Sequence, residues 1–181
     1  MWNRILLGVI GFGFSAFLMG SATMAWFTSS TTDTGTTFTS GTIAIAAART
    51  VAWTEGYNNM APGQTVVSEL TVSNTGTLTM KYRMFGVVLP GSDAGLASAL
   101  ILKVVDPGNG NATLYEGALN AFVESSAIVR DGGNILISGA SETLRLEVTL
   151  PTTAGNNLAG KTVLVNFEFQ ATQPENPGWN Q

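Results

Sequence analysis

The side chains best suited to moving a proton or holding a metal in this chain are twelve carboxylates, with no histidine and no cysteine to work beside them. Without imidazole there is no Ser-His-Asp or Cys-His nucleophile and no zinc-binding HExxH helix. Without cysteine there is no thiolate chemistry and no disulfide. Zinc normally takes His or Cys ligands, whereas carboxylates and carbonyls alone suit calcium. The acids here fall singly along the chain. Asp106-Pro107-Gly108-Asn109-Gly110-Asn111 is the densest set of oxygen ligands, and it reads more simply as a turn. Lys81, Lys103 and Lys161 have no spacing to asparagines that would mark isopeptide crosslinks. Asn111-Ala112-Thr113 is a glycosylation sequon, meaningful only in a host that glycosylates exported proteins. Trp53 and Tyr57 read as packing aromatics rather than a sugar platform. No catalytic residue, metal ligand or cofactor is assigned, and the chain is not expected to be an enzyme.

What remains is architecture. The 181 residues are 45% hydrophobic and 11% charged, enough apolar content to exclude disorder. Length suggests one domain with a sizeable core. So few charges mean a surface built from Thr, Ser, Asn, Gln and Gly. Eight Lys and Arg against twelve Asp and Glu give a net charge of −4. No basic cluster is present to neutralise phosphates, so nucleic acid is not an expected partner.

The first 25 residues look like a targeting segment. Met1–Arg4 is short and basic, and Ile5–Phe27 carries no charge. A basic start, an apolar stretch and small residues at its end make a secretory signal. Thr23 and Ala25 sit at the third-last and last positions before Trp26, which fits signal-peptidase cleavage. Cleavage after Ala22 is the alternative site, and a retained membrane helix the alternative fate. Either way the body is exported, and it touches a membrane only through this segment.

Beyond it the dominant period is two. In Thr143–Leu150, Leu144, Leu146, Val148 and Leu150 alternate with polar residues, as do Val163, Val165, Phe167, Phe169 and Ala171 in Thr162–Ala171. Such alternation marks half-buried antiparallel strands. Thr65–Ser73 and Met80–Val88 are two more, with Met80, Tyr82 and Met84 on one face and Lys81, Arg83 and Phe85 on the other. Asn74-Thr75-Gly76-Thr77 between them is a turn whose glycine is suited to positive φ. Weaker strands are Thr36–Ala47, Leu100–Val105, Ala112–Tyr115 and Asn134–Ile137. Short helices are expected at Asp93–Leu100 and Ala118–Ser125. Eight or nine antiparallel strands with frequent turns predict an all-β, jelly-roll-like sandwich over residues 42–173. A loose tail is expected over residues 174–181.

Three blocks resemble the TasA/camelysin family of secreted biofilm-fibre and pilus proteins. The first is Ala25-Trp26-Phe27-Thr28 followed by Thr36-Thr37-Phe38-Thr39-Ser40-Gly41-Thr42-Ile43. The second is Asn59-Met60-Ala61-Pro62-Gly63-Gln64 with Thr71-Val72-Ser73-Asn74-Thr75-Gly76-Thr77-Leu78. The most specific comprises Leu150-Pro151, Ala154-Gly155-Asn156-Asn157, Gly160-Lys161 and Val165-Asn166-Phe167-Glu168-Phe169-Gln170-Ala171-Thr172-Gln173.

The resemblance implies a structural subunit of an extracellular matrix filament, assembled head-to-tail by donor-strand complementation. One subunit's N-terminal segment would complete a sheet of the next. Residues 26–41 are the expected donor, with Trp26, Phe27, Thr36, Phe38 and Ser40 as its contacts. The expected partners are further copies of the chain, other fibres in bundles, and signal peptidase. Some camelysin relatives are classed as metallopeptidases, so a cell-surface peptidase is the alternative function, and a monomeric adhesin another.

Overall fold

The computed structural model describes residues 39–54, 58–177 and 179. Ser40–Gln181 form a compact unit of eight strands in two antiparallel sheets. The strands are β1 (Ile45–Val51), β2 (Thr65–Asn74), β3 (Lys81–Val88), β4 (Ile101–Asp106), β5 (Ala112–Ala118), β6 (Ile128–Arg130), β7 (Ser141–Thr149) and β8 (Val165–Thr172). A five-stranded sheet runs β1-β2-β7-β4-β5, and a three-stranded sheet runs β6-β3-β8. This is the all-β sandwich that the alternation predicts.

The core lies between the sheets. Val66, Leu70 and Val72 of β2, Leu144, Leu146 and Val148 of β7, and Leu102 and Val104 of β4 face Tyr82 and Met84 of β3, all of them buried. Each set recurs at every second residue, so one face of each strand leaves water and the other stays wet. The outer face of the large sheet is laced with threonine. Thr65 and Thr149 hydroxyls lie 2.7 Å apart, and Thr71 and Thr143 hydroxyls 3.2 Å apart, the cross-strand pairing that β-branched hydroxyl residues favour.

The single α-helix among the described residues, α1 (Ala94–Ala99), falls where expected. Asp93 caps it by accepting a hydrogen bond from the Leu96 amide at 2.8 Å. The second expected helix, Ala118–Ser125, does not form. β5 runs on to Ala118, and two 3-10 turns follow, Leu119–Ala121 and Glu124–Ser126. The Phe122 carbonyl accepts from the Gly86 amide of β3 at 2.8 Å, and its ring is fully buried. Packing, not helical spacing, decided this segment. A Cβ on Gly86 would stand 2.9 Å from that carbonyl, so glycine is required there.

Other boundaries moved too. The strand expected over Thr36–Ala47 forms over Ile45–Val51. Residues 39–44 are irregular, because Thr42 and Ala44 bind the chain crossing between the sheets: Thr77 N to Thr42 O is 3.0 Å and Thr75 N to Ala44 O is 2.9 Å. Gly76 in that crossing has no positive φ. It must be glycine because a Cβ would meet the Thr42 carbonyl at 2.4 Å. Buried Asn74 ties the crossing together, donating to the Leu78 and Leu136 carbonyls at 2.8 Å each. The expected strand Asn134–Ile137 reduces to one bridge between Met80 and Leu136, since Gly132–Asn134 turns as a 3-10 helix. Unforeseen β6 supplies the third strand of the small sheet.

The chain past β8 folds back. Lys81 Nζ donates to the Asn176 carbonyl at 2.5 Å, and Asn176 Nδ2 donates to Thr172 Oγ1 at 2.9 Å. The Trp179 ring sits 5.0 Å from the Arg83 guanidinium and 5.8 Å from Lys81 Nζ.

Candidate functional site: an open groove between two strand edges

The two sheets are unequal, and the mismatch leaves a groove. β1 and β8 are edge strands of different sheets. On β1, Ala47 and Arg49 stand opposite Val72 and Leu70 in the ladder, so they belong to the inner face. Yet both are exposed, while Val72 and Leu70 are buried. On β8, Phe169, Phe167 and Val165 share the inner face with Met84 of β3, and they are only half-buried against a core whose other members are sealed. Between them lies a cleft of about 430 Å³ lined by β1, Leu70 and Val165–Phe169.

Composition makes the space. β1 reads Ile45-Ala46-Ala47-Ala48-Arg49-Thr50-Val51, so methyls stand where larger side chains would fill the gap. β8 is paired to β3 along one edge, and no described strand pairs with its other edge. Such an edge presents unpaired amides and carbonyls, here next to half-buried aromatic side chains. Arg49 is the cation of the groove. Its guanidinium bonds the Ser68 hydroxyl and lies 4.9 Å from the Trp53 ring, and it pairs with no carboxylate among the described residues.

The acids gather elsewhere. Arg130 of β6 is buried between Asp106 at the end of β4, 2.5 Å from its Nη2, and Glu142 of β7, 2.8 Å from its Nε. The Nε–Glu142 contact is ionic rather than an aligned hydrogen bond, and the buried Tyr82 hydroxyl faces the same carboxylate. Burial raises Glu142 above the usual carboxylate range, and Arg130 only partly offsets this. Burial pushes the Tyr82 phenol up as well, with Glu142 adding to the effect. Burial works against the charge on Arg130, but Glu142 and Asp106 outweigh it and raise its pKa.

The loop considered for calcium is a turn. Asp106 Oδ1 accepts from the Asn109 amide at 3.2 Å, while its Oδ2 holds Arg130. Lys161 pairs with Asp93 and Lys103 with Glu116, and Lys81 binds a backbone carbonyl, so none is set against an asparagine side chain.

Of the residues singled out in the N-terminal segment, Thr23, Ala25, Trp26, Phe27, Thr36 and Phe38 lie outside the described residues. Ser40 is exposed and irregular, two residues before the first hydrogen bonds to the body at Thr42. The groove itself was missed from sequence. Its one signal was the alanine run on β1, in a place where a sandwich strand usually carries larger side chains.

Comparison with known families bears on the same part of the chain. The family model for camelysin metallo-endopeptidase matches residues 1–86, which takes in the N-terminal segment, β1, β2 and most of β3. Residues 1–86 are thus similar to the camelysin family. It is the family that the three motif blocks resemble. No curated protein matches the chain.

The camelysin description implies a metal, and the described residues do not fit one. Among the described residues no group of three or more acids could hold a metal ion. Buried Asp106 and part-buried Glu142 bracket the Arg130 guanidinium, so a fixed cation already stands between them. No helix among the described residues is long and apolar enough to cross a membrane.

Proposed function

We propose that this chain is the structural subunit of an extracellular filament, and that residues 26–41 of one copy enter the groove between β1 and β8 of the next. The observation that carries the reading is the half-covered inner face of β8 beside its unpaired edge. A strand added there would satisfy the edge amides and carbonyls, and its alternate side chains would fill the space above Ala47 and Leu70. Donor and acceptor are different surfaces, so the contact need not close and propagates as a filament. The donor segment suits the role: it is rich in β-branched threonine and carries Trp26, Phe27 and Phe38. Removal of the signal segment would then switch assembly on, since an uncleaved N-terminus stays in the membrane.

The test is electron microscopy of the chain from Trp26 to Gln181 beside one starting at Thr42. Filaments from the first and monomers from the second are expected. Monomers from both would remove the filament reading.

The camelysin match favours a second reading, a cell-surface metallo-endopeptidase. That reading requires cleavage of a general protein substrate that stops with chelator and survives loss of residues 26–41.

A further inference from the structure

We infer that Arg49, on the inner face of β1, sets the register of the incoming strand by pairing with Asp33 of the neighbouring copy. The inference rests on the filament reading and adds what fixes the donor in place.

Register is the weak point of the proposed joint. A sixteen-residue donor spans ~50 Å when extended, against ~26 Å for the eight residues of β8. Between Phe27 and Phe38 the donor reads Thr28-Ser29-Ser30-Thr31-Thr32-Asp33-Thr34-Gly35-Thr36-Thr37. Such a polar, near-uniform strand can slip by two residues and present the same kind of side chain to the groove. One position breaks the uniformity. Asp33 is the sole charged residue from Ile5 to Ala48.

The acceptor has a matching singularity. Arg49 is the one cation among the described residues lining the groove. Trp53 and Ser68 steady its guanidinium without neutralising it. Glu168, also at the groove, lies next to Phe167 and Phe169 and so on the opposite face of β8. It repels an aspartate placed along that edge. Arg49 can hold a carboxylate through two donors at once, which fixes direction as well as distance. A slip of two residues moves Asp33 by ~7 Å and breaks the pair. With Asp33 turned inward, strand alternation also turns Phe27 inward, six residues away, toward the apolar part of the cleft, and it turns Trp26, Thr36, Phe38 and Ser40 to the outer face of the added strand.

The test uses the mature chain with Arg49→Glu, Asp33→Arg and both changes together, reading the critical concentration for filaments by sedimentation and microscopy. Each single variant is expected to raise it about tenfold, and the double variant to return it to within about twofold of the unmodified chain. Mixing the two single variants supplies a control for folding. Each then offers the other a complementary donor or acceptor, so alternating filaments are expected at concentrations where neither preparation assembles alone. Single variants that assemble like the parent would overturn the pairing and leave the filament reading standing. The same holds if neither the double variant nor the mixture recovers assembly. If the unmodified chain forms no filaments, the filament reading itself fails and the pairing with it.

Discussion

On one flank of the sandwich β4, β6 and β7 close around Arg130, Asp106, Glu142 and Tyr82. On the other, Ala47 and Arg49 of β1 and the aromatic face of β8 border an open cleft. Both flanks hold an arginine on an inner-facing strand position. Arg130 is 5% exposed and held by two carboxylates; Arg49 is exposed and has none among the described residues. The charges of the closed flank are paired with one another. The open flank keeps an unpaired backbone edge, apolar surface and a cation together, the three things an added strand can use.

The contrast is broken most sharply by removing each arginine in turn. Arg130→Ala leaves buried Asp106 and part-buried Glu142 unpaired, and the expected loss is about 3–5 kcal/mol in urea unfolding. Arg49→Ala, exposed, should cost under about 1 kcal/mol. Equal losses would mean that the open flank is as much a part of the folding core as the closed one. Aromatic truncation sharpens the same point. Phe122→Ala, fully buried, is expected to cost about 3–5 kcal/mol. Phe167→Ala, half-buried at the groove, should cost about 1–2 kcal/mol, measured by the same method.

How much of this could be read from sequence divides along the same line. The strands of the core were legible because Leu144, Leu146 and Val148, or Met80, Tyr82 and Met84, alternate cleanly with polar neighbours, and burial on one face is what such a pattern records. β6 was not, since its polarity is reversed: Val129 is exposed while Arg130 is buried. A buried arginine is set by partners on β4 and β7, far away in the chain, and local pattern carries no sign of them. In β8 the alternation of Val165, Phe167 and Phe169 was read correctly as an inward face, but period cannot tell whether that face is covered. Coverage depends on how many strands the opposing sheet contributes, and five against three is a property of the whole topology. The turn at Gly76 failed for a related reason, because the glycine serves a close approach by Thr42 rather than a local backbone conformation.

Filling the groove tests the open flank without touching the closed one. Ala47→Phe adds a ring where the cleft now stands, beside Phe167 and Leu70. Because the site is open, overpacking strain is absent, and stability should change by less than about 1 kcal/mol or rise slightly. Filament formation is expected to be lost, with the β-sheet circular dichroism spectrum retained. Filaments at the parent concentration would show that the added strand does not use this cleft.

The smallest expected effect is in the pH dependence, and its sign differs between a buried carboxylate and a surface one. Burial raises Glu142 above its ordinary value of 4.5, so the folded state holds that proton more tightly than the unfolded chain. Its contribution to stability is full below pH 4.5 and is lost as pH rises through the folded value. The Leu96 amide, with Lys161 beyond it, holds Asp93 below its ordinary value of 3.8. Its contribution is present above that value and is lost as pH falls through the lower, folded one. Urea midpoints followed from about pH 3 to pH 7 should therefore separate the two. Between 4.5 and neutrality, the parent should lose stability more steeply than Glu142→Gln, whereas Asp93→Asn should flatten only the acid limb. If Glu142→Gln instead flattens the acid limb, then Arg130 outweighs burial at Glu142, and the closed flank is held by an ordinary salt bridge rather than a carboxylate kept against its preference.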